Sequence, residues 1–267
     1  MLQRYIYKVM RLKIILFSFI YLSINISIHA QEFQDLKSIV PVVKTDYINF
    51  YSKNRFINIG ISTSVAAVVA HTAIDRNLND WYQNEIRTNA SNDIAMVAKF
   101  FGEGKYLIPI SLLSASSGLF LDDEHDLSWI AIWGRQTSRA YLVGAPLTLL
   151  MQRFIGSSRP GEHSHHAEWR PLRDDNGVSG HAFIGAVPFL VAKNMVDNKL
   201  TAPLFYLLSG MTAWSRINDN KHYVSQAFLG WFIAYQATSA VNENHSNRKF
   251  SLIPIRNGIA VVILIEY

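Results

Sequence analysis

Apolar residues recur at helical spacing along most of this chain, in stretches divided by short polar or glycine-containing breaks. The pattern predicts helices over residues 58–74, 94–101, 106–121, 128–154, 179–196, 202–214 and 222–240. Gly102, Glu103 and Gly104 separate the second from the third. Pro146 is a candidate kink, and Gly156 suits the stop of the longest helix. Residues 31–55 are mixed and read as irregular or as an amphipathic lead-in. Residues 75–90 are polar around Trp81 and Tyr82 and read as a surface helix or loop. The tail differs: Asn257-Gly258 stands between two β-branched runs, a strong hairpin signal. The prediction is a mainly-α helical bundle with a short C-terminal β-hairpin. Its domain spans 56–245, after a 31–55 lead-in and before a 246–267 tail. Trp129, Trp133, Trp231 and Phe232 fall at helical spacing and are assigned to the core.

The first 30 residues follow another pattern. Arg4, Lys8, Arg11 and Lys13 precede an apolar run that ends near Ala30, as in a secretory signal; an uncleaved N-terminal anchor is the alternative. Beyond residue 30 no stretch supplies the ~20 clean apolar residues of a membrane span, because His71, Gln152, Lys193 and Gln236 interrupt the helices. Export also changes the charge argument. The four basic residues of the signal leave 21 Lys and Arg against 20 Asp and Glu, from totals of 25 and 20. The pI of about 9.3 therefore gives no support for a nucleic-acid partner. With no cysteine, disulfide and thiol chemistry are excluded.

Three segments concentrate the chemistry. The first runs from Gln152 to Pro160, where the proline biases Arg159 away from helix and projects it from a rigid corner. The second, Val178 to His181, puts Ser179 at a helix start with Gly180 and His181 in the first turn, a natural anion site. In the third, Ser215 to Gln226, a turn at Asn218-Asp219-Asn220 can fold Arg216 and His222 onto one centre. His222 and Gln226 are four apart on the predicted helix. The Gln226 oxygen can accept from Nδ1–H of His222, leaving Nε2 free as a nucleophile. Two guanidiniums for a phosphoryl group and two histidines for nucleophile and proton donor suffice for phosphate ester hydrolysis without a metal.

In order and spacing these segments resemble the signature of the type 2 phosphatidic acid phosphatase superfamily, which includes vanadium haloperoxidases and bacterial class A acid phosphatases. That signature is Lys, six residues, Arg-Pro; then Pro-Ser-Gly-His; then Ser-Arg, five residues, His, three residues, Asp. The resemblance covers roughly residues 60–240. It implies that His222 attacks phosphorus to form a phosphohistidine and that His181 protonates the leaving group and later activates water. It further implies that Arg159, Arg216, Ser179 and the Gly180 N–H hold the equatorial oxygens. Three positions depart: Gln152 replaces the lysine, Val178 the proline, and Gln226 the orienting aspartate. Arg153, beside Gln152, and Lys221, beside His222, are the candidate compensating cations.

Other features are assigned more plainly. The acidic run at 122–126 is a solvated turn, His163, His165 and His166 belong to a substrate-side loop, and neither is assigned a metal. The hairpin packs on the bundle edge, with a weak membrane contact as the alternative. The expectation is an exported, periplasmic phosphatase that uses no cofactor. It would act on a phosphomonoester or diphosphate, of an envelope lipid or of a small phosphoester, with a membrane surface as a second partner. A soluble acid phosphatase of broad specificity is the near variant. A non-catalytic protein binding an anionic headgroup is the competing class, and a haloperoxidase stands third.

Overall fold

The computed structural model describes residues 39–117, 128–162, 167–196, 201–246, 249–255 and 258–264. The expected signal, the acidic run, His163, His165, His166 and Asn257 lie outside them.

Ten α-helices are described: α1 (Ile39–Phe50), α2 (Lys53–His71), α3 (Ala73–Trp81), α4 (Asn89–Phe100), α5 (Gly104–Ser117), α6 (Ser128–Ile155), α7 (Gly180–Asn194), α8 (Thr201–Ser209), α9 (Met211–Asn218) and α10 (Val224–Ser246). A π-helical turn, Tyr82–Ile86, extends α3. Local chemistry sets several starts. Thr88 and Ser91 form a reciprocal capping box at α4, and Ser179 caps α7. The strands β1 (Lys249–Ile255) and β2 (Gly258–Leu264) pair antiparallel, with Lys249 opposite Leu264.

Helix α10 is the axis of the bundle and packs on α7, α6, α1 and α2. Its Leu229, Ile233, Ala237 and Val241 meet Val143 of α6 and Phe183, Val187 and Leu190 of α7 in one buried cluster. Each large apolar side chain buried there contributes roughly 1.5–3 kcal/mol. Trp133, Trp231 and Phe232 pack against this cluster.

The lead-in is more ordered than its composition suggests. Asp46 of α1 is fully buried, takes both Nε and Nη2 of Arg139 at 2.6 Å, and accepts Asn244 Nδ2 at 2.6 Å. This bidentate pair ties α1 to α6 and α10. The 75–90 segment is not simply a surface element, since Asp75 and Asn79 are buried. The predicted 202–214 helix is two helices meeting at Gly210. Pro146 lies inside α6 without ending it.

No single described helix is long and apolar enough to cross a membrane; α2 and the 73–86 segment pass that test together but are bent by 71°.

Candidate active site

The site grows from the turn between α9 and α10. Arg216 is in the last turn of α9, and its carbonyl accepts the N–H of Lys221 at 2.9 Å and of His222 at 3.3 Å. Asn220 takes a left-handed conformation (φ 53°), which suits asparagine and turns the chain back. His222 therefore stands in the turn, two residues before α10, and not on the helix as its spacing suggested. The contact with Gln226 is made differently from helical facing. Gln226 is the third residue of α10, and its Oε1 reaches back to the Tyr223 N–H at 3.1 Å, half of a capping box. The same oxygen lies 2.9 Å from His222 Nδ1.

The Gln226 orientation follows from its other end. Nε2 donates to Ser157 Oγ at 2.7 Å and to the Ser158 carbonyl at 2.6 Å. A carbonyl can only accept, so the NH2 faces Ser158 and Oε1 faces His222. Nδ1 then carries the proton, and Nε2 is the unprotonated nitrogen. Behind this turn, the buried Asp75 of α3 accepts the Ser225 N–H at 3.1 Å, the Ser225 hydroxyl, and the Val224 N–H. A carboxylate at a helix start is favoured there by the helix dipole, while burial pushes the Asp75 carboxyl pKa up.

Arg159 is positioned by the exit from α6. Gly156 ends that helix with φ 59°, and a Cβ on it would run into the Arg170 carbonyl. Gly156 O accepts Arg170 N–H at 2.7 Å and Glu168 O accepts Ser158 N–H at 3.1 Å, folding the loop on itself. Arg159 Nε donates to Asn176 Oδ1 at 2.7 Å, which fixes the plane of the guanidinium.

Gln152 serves this corner as a neutral donor. Its Nε2 donates to the Val178 carbonyl at 3.1 Å, and its backbone carbonyl accepts Gly156 N–H at 3.1 Å and Gly177 N–H at 3.2 Å. A Cβ on Gly180 would lie 2.9 Å from Gln152 Nε2. Arg153 and Lys221, the expected compensating cations, are exposed. Neither is among the charges that act on His222, His181 or Arg216.

The start of α7 completes the centre. Ser179 is fully buried, and its Oγ accepts the Ala182 N–H at 3.3 Å, leaving the hydroxyl proton to donate. Its backbone N–H bonds Gln226 O at 3.0 Å. This close approach needs Gly230, where a Cβ would collide with the Ser179 carbonyl. Gly180 and His181 carry orphan N–H groups of the helix start. His181 Nε2 is 3.7 Å from Glu103 Oε1.

Electrostatics join these parts. Burial drives the His222 pKa down to about 3, with Arg216, Arg159 and His181 adding to the fall and the Gln226 hydrogen bond opposing it. His181 is lowered by burial and by Arg216 and Lys99, while Glu103 raises it. Arg216 is lowered by burial, Asp219 opposing and Arg159 adding to the fall. Its Nη1 donates to Asp219 at 3.2 Å, but its buried Nε has no protein partner. A buried guanidinium N–H without a protein partner is able to donate to an anion.

The structure thus gathers His222, His181, Gln226, Arg159, Arg216, Ser179, Gly180 and Gln152, and leaves Arg153 outside. Sequence reasoning missed Glu103, Lys99, Asn176, Ser157 and Asp75. Only Glu103 had a visible signal, an acid set between two glycines at a helix break. Among the described residues no group of three or more metal-ligating side chains could hold a metal ion. An apolar recess lined by Lys193, Ala202, Pro203, Tyr206 and Leu207 contains none of the site residues.

Residues 136–249 match the family model described as the PAP2 superfamily. The match spans all three segments, from Gln152 to Gln226. No curated protein and no solved structure matches the chain. The PAP2 match supports a phosphatase-type function and a phosphoester substrate in general terms. Lys99, Glu103 and Asp75 precede the PAP2 match, so elements outside it build one flank of the centre.

Proposed function

We propose that this chain is an exported, periplasmic phosphatase that hydrolyses a phosphomonoester or diphosphate of an envelope lipid through a phosphohistidine. One observation carries the reading: Gln226 fixes the proton on Nδ1 of a buried, neutral His222. A neutral imidazole with a free Nε2 is the form that attacks phosphorus. As the P–N bond forms, the bond to the leaving oxygen breaks and His181, in its protonated form, donates the proton. His181 then takes a proton from water, whose oxygen displaces His222 and releases orthophosphate. Arg159, Arg216, the Ser179 hydroxyl and the first N–H groups of α7 support the charge on the equatorial oxygens.

A lipid substrate is favoured by the apolar side chains around the α6 exit. Leu149, Leu150, Phe154 and Leu172 are 62%, 53%, 62% and 72% exposed; the first two precede the Gln152 to Pro160 segment, Phe154 is part of it and Leu172 is in the loop after it. Exposed apolar side chains beside the phosphate-binding segment suit a substrate that carries acyl chains.

The experiment is phosphate release by the purified chain, without added metal and with chelator present, from an aryl phosphate and from a lipid phosphate in mixed micelles. The reading expects turnover that His222→Ala abolishes and vanadate blocks, with the lipid preferred. Equal rates on both substrates favour the broad-specificity phosphatase. Absence of release from either moves the protein to the headgroup-binding class.

A further inference from the structure

We propose that Lys99 is a third cation of the phosphate site, reaching it from α4. The inference rests on the phosphatase reading above for its chemistry and on the packing of α4 for its geometry. Helix α4 is fastened along α9, whose last turn bears Arg216. Thr212 Oγ1 donates to Ala98 O at 2.9 Å, and Asn218 Nδ2 donates to Asn92 Oδ1 at 3.0 Å. The end of α4 then runs directly onto His181: a Cβ at Gly102 would lie 2.9 Å from the His181 carbonyl oxygen and 3.0 Å from its Cβ.

Lys99 and Gly102 are one turn apart, joined by the Gly102 N–H to Lys99 O bond of 2.8 Å. Lys99 thus stands one turn before the Gly102-Glu103 corner that packs on His181, where Glu103 Oε1 is 3.7 Å from its Nε2. The field at His181 agrees, since Lys99 is among the charges that lower its proton affinity. The lysine is half-buried, and none of the ion pairs among the described residues uses it.

The site has use for such a cation. A transferring phosphoryl group presents three equatorial oxygens. Arg216 is partly offset by Asp219, and the neutral Gln152 amide is already bound to Val178 O. An ammonium entering from α4 supplies the missing charge without any change at Gln152.

The test compares wild type, Lys99→Met, Gln152→Lys and the double variant. The readouts are calorimetric binding of inorganic phosphate and of orthovanadate, KM and kcat on an aryl phosphate, and the thermal midpoint. Loss of one charged contact is expected to weaken phosphate and vanadate binding, and to raise KM, by roughly ten- to a hundredfold, with the midpoint unchanged. Gln152→Lys starts its side chain beside Gly180 and is expected to restore affinity in the Lys99→Met background. Wild-type affinity in Lys99→Met overturns the proposal. So does a weakened Lys99→Met that melts earlier and is not rescued, because that pattern marks a packing role. So does a wild type that binds neither anion. Binding that depends on Lys99 in a chain without turnover keeps the third cation and removes the phosphatase reading. Turnover that depends on His222 but not on Lys99 does the reverse.

Discussion

His222 Nδ1 and Gln226 Oε1 are 2.9 Å apart, and the opposite end of the same amide is held by a carbonyl that can only accept. The neutral side chain therefore does what a carboxylate cannot do there, accepting on one side and donating on the other. Gln226→Glu keeps the size and the acceptor but faces the Ser158 carbonyl with an oxygen. The variant is expected to lose about 1–3 kcal/mol of stability and roughly tenfold or more in kcat/KM. Thermal denaturation and steady-state kinetics check it, and a rate gain would show that the amide is only a weakened carboxylate.

The two histidines set opposite limbs of a pH profile. His222 attacks when unprotonated, and its pKa lies at about 3. His181 donates when protonated, and burial with Arg216 holds it below its ordinary 6.5. The kcat/KM profile is expected to peak on the acidic side of 6.5 and to fall as pH rises through the His181 value. Glu103→Gln removes a contribution that raises His181, so its alkaline limb is expected at still lower pH. Stability has its own sign. The unfolded chain protonates His222 near 6.5 and the folded chain only near 3, so stability is full above that window and declines as pH falls through it. Urea midpoints from pH 7 downward, with His222→Gln as the flattened control, measure this.

Glycines at two positions are expected to respond in opposite directions. Gly230→Ala drives a Cβ into the Ser179 carbonyl and pushes the start of α7 off α10. It is expected to cost about 1–3 kcal/mol and most of the activity. Gly60 lies in α2 with nothing within 4 Å of a Cβ, and Gly60→Ala is expected to add about 0.5–1 kcal/mol. Chemical denaturation of both variants decides.

Arg153 and Lys221 are adjacent in sequence to site residues yet exposed. Arg153→Ala and Lys221→Ala are each expected to leave KM on an aryl phosphate within about twofold of wild type, as surface charges screened by solvent do. A tenfold rise in either would return that cation to the site.

Periodicity made the helical bundle and the core positions on α6, α7 and α10 readable, because each helix buries one continuous apolar face. The centre was readable where order and spacing carry chemistry, at Arg159, Ser179, His181, Arg216 and His222. It was unreadable where a contact joins distant segments. Asp75 and Ser225 are 150 residues apart, and no local pattern marks an acid as the cap of a remote helix. Adjacency in sequence alone suggested Arg153 and Lys221, which are exposed and are not among the charges acting on His181, Arg216 or His222. The break at Gly210 and the late start of α10 were invisible to periodicity, because apolar spacing runs through both.

Thr212 has a consequence for how this protein fails. Its hydroxyl donates to Ala98 O at 2.9 Å, and a Cβ at Gly102 would strike its methyl group and one at Gly185 its hydroxyl. One small side chain is thus the keystone between the helices that carry Lys99, His181 and Arg216. Those helices cannot loosen one at a time, so amide exchange across them should report a single opening event. On warming, the population should divide into competent and silent molecules, with a falling number of active sites and an unaltered rate in each survivor.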